Sequence, residues 1–133
     1  MDAQEHTVVA LQVENEPGIL GSDRDYSPAG EAALPAAVPA ERIETVRRAG
    51  GGPGWDAWQE QGAPDSGSWD ERFGLHGGEF CSAWSVATYI DTVAEQGRQE
   101  YEIPRYVNVW LGYPGWPSPG FYPSGGAVWR TST

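Results

Sequence analysis

The stretch 8-VVALQVENEPGILGSDRDY-26 begins as an apolar run and ends among acidic side chains. The aliphatic and β-branched residues over 7–13 predict a β-strand, and their lack of polar alternation is typical of a parallel strand covered on both faces. Glu14 and Glu16 follow at once, and the chain then turns at a Pro-Gly pair. Because an unpaired buried carboxylate is costly, these acids either lie at a solvated strand end or have a function.

The composition limits the possible functions of the chain. The 133 residues are enough for one ordinary domain. A net charge of -11 argues against nucleic acid or an anionic membrane as a partner. No apolar run reaches the roughly 18 residues of a membrane helix, and no signal peptide is recognised at the N-terminus, so the compartment is left open.

The residues that commonly bind metals are few. Cys81 is the single cysteine, which excludes an internal disulfide framework and a thiolate cluster. His6 and His76 are far apart, and neither has the spacing of a known ligand motif. Neither a metal ion nor an organic cofactor is therefore predicted.

Proline and capping residues mark the helices that follow the first strand. Ser27 and Pro28 predict the N-cap and first turn of a short helix that ends at Leu34. Residues 39–50 predict a second helix, which begins at a proline and stops at a glycine.

The middle of the chain combines short helical pieces with one long helix. Residues 55–74 are expected to form the short pieces, with Ser68 and Glu71 as a capping box. Residues 79–97 have the three- and four-residue spacing of an amphipathic helix. Its predicted apolar face consists of Phe80, Ala83, Trp84, Ala87, Ile90, Val93 and Ala94.

A second apolar run, 105-RYVNVWL-111, predicts another buried strand, followed by a Pro/Gly/aromatic loop over 112–126. Two buried strands joined by helices favour a parallel, adjacent pair, with Glu16 and that loop at the same end. Two strands alone leave unpaired edges. The expected fold class is therefore α/β, with the chain a fragment of a larger parallel barrel or sheet.

Such a barrel strand would give the carboxylates a function. Gln12, Glu14 and Glu16 are expected to share the inward side, with Glu16 at the carboxyl end, where barrel enzymes hold their active sites. Glycoside hydrolysis needs a carboxylic acid, a second carboxylate and groups that hold sugar hydroxyls, a role for which Asn15 is suited. The alternative is that Glu16 is an ordinary solvated turn residue.

The run LQVENEPGILGSDRDY resembles the fourth-strand motif of the β-galactosidases of glycoside hydrolase family 35, within clan A of the barrel glycosidases. The matching positions are 12-QVENE-16, Gly21-Ser22, and Asp23 with Tyr26. Residues 105-RYVNVWL-111 and the PGFYPSGG segment after them resemble a divergent bacterial branch of these enzymes. The resemblance extends over nearly the whole chain.

The resemblance implies a partial (β/α)8 TIM barrel, in which residues 1–133 are a fragment of one catalytic domain and form no complete domain. It also implies part of a retaining glycoside hydrolase that acts on terminal β-galactosides or related glycosides. Glu16 would be the general acid/base, Asn15 would contact the hydroxyl beside the anomeric carbon, and Glu14 would line the sugar pocket. Pro17 stands where better-known members have tyrosine, so the resemblance does not specify which sugar is bound. The motif assigns the family's nucleophile to no residue here, so the remainder of the barrel is the expected partner and the isolated chain is expected to be inactive.

Aromatic side chains supply a further candidate contact with sugar. Trp110 follows the second strand and can stack on a sugar ring, although packing of the adjacent loop is the simpler interpretation. Two other functions stay open: a non-catalytic carbohydrate-binding protein that uses the aromatic loops, and an inactive truncated reading frame. Because carbohydrate-binding modules are typically antiparallel sandwiches, the direction of strand pairing separates the first of these from the enzyme.

Overall fold

The computed structural model describes residues 7–18 and 22–108. Within them, a pair of strands is separated along the chain by five α-helices and one 3-10 turn. The elements in order are β1 (Leu11–Asn15), α1 (Pro28–Ala33), α2 (Ala40–Ala49), α3 (Pro53–Glu60), α4 (Trp69–Phe73), the 3-10 turn (Gly74–His76), α5 (Gly77–Glu100) and β2 (Arg105–Asn108). None of the helices in these ranges combines the length and apolarity needed to cross a membrane.

The helix starts predicted from capping residues are confirmed. The Ser27 hydroxyl accepts a hydrogen bond from the backbone N–H of Gly30 at 3.3 Å, at the start of α1. At α4, the Ser68 hydroxyl accepts from the backbone N–H of Glu71, whose carboxylate accepts from the backbone N–H of Ser68 at 2.7 Å. Helix α2 ends at Gly50, whose φ of 61° is the left-handed conformation typical of a helix stop.

The long helix extends further than predicted. It continues past Gly97 to Glu100, so the predicted end at that glycine is wrong. An interior glycine costs a helix only about 1 kcal/mol, and the backbone N–H of Tyr101 still bonds to the Gly97 carbonyl at 3.1 Å. The side chain of Arg105 lies against the same glycine. Of the predicted apolar face, Phe80, Ala83 and Ile90 are buried, whereas Val93 is exposed.

The apolar core lies among the helices. Phe73 is 1% exposed and packs against the rings of Trp69 and Phe80, with centroid separations of 6.0 and 4.9 Å. Trp58 is buried as well, and its indole N–H donates to the Pro64 carbonyl at 3.0 Å. The core cluster consists of Val38, Ile43, Val46, Ala57, Trp58, Trp69, Phe73, Phe80, Cys81 and Ala83.

The two strands pair in parallel and lie side by side, which confirms the predicted pairing. Leu11 is opposite Arg105, and Asn15 is opposite Asn108. The strand β1 begins at Leu11 instead of Thr7. Because β1 has one more residue than β2 between the matched pairs, the register shifts within β1.

The expected TIM barrel is wrong: the described residues form a small arrangement of helices with one two-stranded parallel sheet. Full burial of the strands is also wrong, since Val9 is 77%, Leu11 46% and Tyr106 52% exposed. A barrel needs a neighbouring strand on every edge and helices over its outer face. Here the helices pack mainly against one another, and among the described helices α5 makes the largest contact with β1.

Candidate functional site

The carboxyl ends of β1 and β2 bring three polar residues together. Because the strands are parallel, Asn15 and Glu16 meet Asn108 at the same end of the sheet. The backbone N–H of Glu16 donates to the Asn108 carbonyl at 3.1 Å and lies 3.3 Å from its side-chain Oδ1. This end of the sheet is therefore fixed by contacts between residues that are distant in sequence.

Glu16 has an unusual backbone conformation. Its φ of 45° is in the left-handed region, which among the described non-glycine residues is shared only by Ala63. For a residue with a β-carbon, that region costs about 1–2 kcal/mol. The hydrogen bonds from the Glu16 amide to Asn108 hold this conformation. Local strain of this kind is concentrated at functional sites, and the Glu16 residue itself is exposed to solvent.

An amide cluster lies beside Glu16. The amino group of Gln12 lies 2.8 Å from Asn108 Oδ1, 3.1 Å from Asn15 Oδ1 and 3.2 Å from the backbone carbonyl of Glu14. Three acceptor oxygens thus share the two hydrogens of the Gln12 amino group. The cluster joins the side chain of Asn108 in β2 to those of Gln12 and Asn15 in β1.

The register shift explains why these side chains meet. Regular alternation would put Gln12 and Asn15 on opposite faces of β1, but the extra residue between them re-aims the strand. The predicted grouping of Gln12, Glu14 and Glu16 on one side assumed an unbroken strand. The hydrogen bonds instead group Gln12 with Asn15 and Asn108, while Glu14 is half-buried.

Sequence reasoning missed Asn108 and gave Gln12 no role of its own. Asn108 lies in the second predicted strand, where its neighbours Val107 and Val109 draw attention to burial. A polar residue between two valines was the available signal. Trp110, the predicted stacking residue, lies outside the described residues.

The Asp-x-x-Tyr part of the motif forms a loop held by its own side chains. Tyr26 donates its hydroxyl hydrogen to Asp23 at 2.7 Å, and this bond raises the pKa of Tyr26. The Arg24 guanidinium lies 4.0 Å from the centre of the Tyr26 ring and pairs with Glu31 at 2.9 Å. These contacts give the loop a structural role.

A cleft of about 420 Å³ lies between this loop, α1 and the middle of α5. Cys81 borders it, and burial raises the pKa of its thiol, which makes it a poor nucleophile at neutral pH. Glu14 and Glu16 are not among the residues that line it, so the cleft is separate from the strand-end cluster. Its lining comprises Gly18, Arg24, Asp25, Ala29, Gly30, Ala33, Cys81, Ser82, Ser85, Val86 and Tyr89.

Metal ligands are not gathered at either place: within residues 7–18 and 22–108, no group of three or more His, Cys, Asp or Glu side chains could hold a metal ion. No protein-family model matches the chain, and none of the curated proteins matches its sequence. The interpretation of the strand end therefore rests on the residues of this chain.

Proposed function

We propose that the chain carries the acid/base part of a retaining glycoside hydrolase site of the β-galactosidase-like kind, with Glu16 as the general acid/base. The observation that supports this most is the left-handed backbone of Glu16 at the carboxyl end of a parallel strand pair. An ordinary turn favours glycine or asparagine there, because those residues bear less strain. A strained glutamate at this position supports a functional role over the solvated-turn interpretation.

The neighbouring residues have matching roles in this proposal. Asn15 donates its amino hydrogens to a sugar hydroxyl next to the anomeric carbon, and the half-buried Glu14 lines the sugar pocket. Trp110 stacks on the sugar ring. The substrate class is a terminal β-galactoside or a related glycoside.

The reaction has two steps. In the first, a second carboxylate attacks the anomeric carbon, the bond to the leaving group breaks, and the Glu16 carboxylic acid transfers its proton to the departing oxygen. In the second, Glu16 removes a proton from water, which displaces the enzyme carboxylate and releases the sugar. The motif assigns the second carboxylate to none of this chain's residues, so the proposal gives the nucleophile role to no residue of this chain.

The carbohydrate-binding alternative is less well supported. Such modules are typically antiparallel sandwiches, whereas the two described strands are parallel. The inactive-reading-frame alternative differs from the proposal in predicting no specific sugar binding at the strand end.

The first test is an activity assay of the 133-residue chain with methyl and 2,4-dinitrophenyl β-galactosides. We expect no measurable hydrolysis of either, because retention needs both carboxylates. Clear turnover by the isolated chain would show that the second carboxylate lies within it, and would contradict that part of the proposal.

The acid role itself is tested in a longer, active protein that contains the same motif, with the residue at the Glu16 position changed to glutamine. Glycosylation by methyl β-galactoside should fall by about 100- to 10,000-fold, the usual contribution of general acid catalysis. The dinitrophenyl substrate should lose much less in that step, since its leaving group needs little protonation. An equal loss on both substrates would rule out the acid role.

A further inference from the structure

We infer that Gln12 is a positioning residue that fixes the side-chain amides of Asn15 and Asn108 with their oxygens toward Gln12 and their amino groups turned away from it. The inference rests on the proposed function for the identity of the ligand, a neutral sugar. The orientation of the amides follows from the hydrogen bonds alone.

Two backbone groups determine the orientation, because each has a single hydrogen-bonding polarity. The Glu16 N–H can only donate, and its hydrogen is shared between the Asn108 backbone carbonyl at 3.1 Å and the Asn108 side-chain atom at 3.3 Å, so that side-chain atom is the amide oxygen. The Glu14 carbonyl can only accept, so the Gln12 atom 3.2 Å from it is the amide nitrogen. These two contacts remove the usual ambiguity between the oxygen and nitrogen of an amide.

The orientation of Asn15 then follows. The Gln12 amino group has only hydrogens to offer, so the Asn15 atom 3.1 Å from it is the acceptor oxygen. The same amino group donates to Asn108 Oδ1 at 2.8 Å. Both asparagines therefore use their oxygens within the cluster, and their amino groups are directed away from Gln12.

This arrangement defines what the strand end can recognise. Two amino groups that can only donate suit a ligand with hydroxyl oxygens as acceptors. The carboxylates of Glu14 and Glu16 lie in the same segment, and their negative charge disfavours an acidic sugar. The ligand class is accordingly a neutral sugar with adjacent hydroxyls.

The positioning role is tested in the ¹⁵N-labelled 133-residue chain by exchanging the single donor. Gln12→Glu places an acceptor where the structure requires a donor, and Gln12→Met removes the polar group at similar size. Gln59→Glu makes the same chemical change on the exposed surface of α3 and is the matched control.

The side-chain amide signals of Asn15 and Asn108 are the first readout. In Gln12→Glu, the amino groups should turn inward to the new carboxylate, so their proton signals should move downfield and exchange more slowly with water. In Gln12→Met no inward acceptor is created, and the downfield shift should be absent. A purely structural role for Gln12 would not produce a downfield shift in Gln12→Glu alone.

Affinity for methyl β-galactoside, followed by the same spectra, is the second readout. Loss of two correctly directed donors should weaken binding by about tenfold or more in Gln12→Glu. Gln12→Met should show a smaller loss, and Gln59→Glu should bind within about twofold of the unaltered chain. An unchanged affinity in Gln12→Glu would overturn the positioning role while leaving the proposed function intact.

Failure of the two proposals can be separated. If the unaltered chain does not bind methyl β-galactoside or galactose, the proposed function loses its support, and the amide signals alone decide the inference. Asparagine signals that are the same in the unaltered chain and Gln12→Glu would overturn it. If Gln12→Glu does not fold, Gln12→Met decides: affinity and amide signals equal to those of the unaltered chain would contradict the inference.

Discussion

The helical cluster and the strand end are held together by different forces. In the helical cluster, aromatic and aliphatic side chains such as Phe73 are removed from water. In the two-stranded sheet, Leu11 and Tyr106 are about half exposed, and amide hydrogen bonds connect the residues at its carboxyl end. Since apolar burial supplies most folding free energy, the helices should account for stability and the strand end for recognition.

The largest expected effect is in the helical cluster. Phe73→Ala removes a ring packed between Trp69 and Phe80 and should lower the free energy of unfolding by about 3–5 kcal/mol. Leu11→Ala, in the half-exposed strand β1, should lower the free energy of unfolding by about 1 kcal/mol or less. Urea unfolding followed by tryptophan fluorescence measures both. Similar losses for the two variants would contradict the division between the regions.

A capping change should have an intermediate effect. Ser68→Ala removes one hydrogen bond of the capping box at α4 and should lower the free energy of unfolding by about 1 kcal/mol. Ser66, an exposed serine two residues earlier, provides the control substitution Ser66→Ala, which should be nearly neutral. A loss no larger in Ser68→Ala than in the control would show that the cap adds nothing to the helical cluster.

A substitution at the strand end should stabilise the fold instead of destabilising it. Glu16→Gly relieves the left-handed strain and should raise the free energy of unfolding by about 0.5–1 kcal/mol. Ala63→Gly relieves the same conformation, but its methyl group is partly packed against the core, so its gain should be smaller. Thermal unfolding of the two variants measures the difference. A destabilised Glu16→Gly would argue against strain at this site.

The smallest expected effect is a dependence on pH. Hydrogen bonds from Ser68 lower the pKa of Glu71 below its ordinary value of 4.5. A lowered folded-state pKa stabilises the fold above the unfolded value, and this contribution is lost as the pH falls through the folded value. The stability difference between the unaltered chain and Glu71→Gln should therefore shrink in acid.

The double-variant comparison isolates the source of that pH dependence. In a Ser68→Ala background, the change Glu71→Gln should alter the pH profile less, because the side-chain part of the interaction is already gone. An identical profile change in both backgrounds would assign the effect to some contact other than the capping box.

Much of the helical part was predictable from the sequence. Ser27 and the Ser68–Glu71 pair marked their helices correctly, because each cap forms within three residues. The stop predicted at Gly97 failed, since a local propensity of about 1 kcal/mol is easily overridden by the rest of a long helix. Burial of the strands failed for another reason: an apolar pattern shows that a strand can be covered, but does not show what covers it.

In the candidate site, too, local features were predictable from the sequence and long-range contacts were not. The sequence by itself determined the helix caps, the parallel pairing and the position of Glu16 just after the first strand. Only the tertiary structure decided the register shift in β1 and the amide cluster, because Gln12 and Asn108 are 96 residues apart. Hydrogen bonds between near neighbours leave a pattern in the sequence. Those across the sheet depend on which residues the register brings opposite one another, and a shift of one residue changes every such pair.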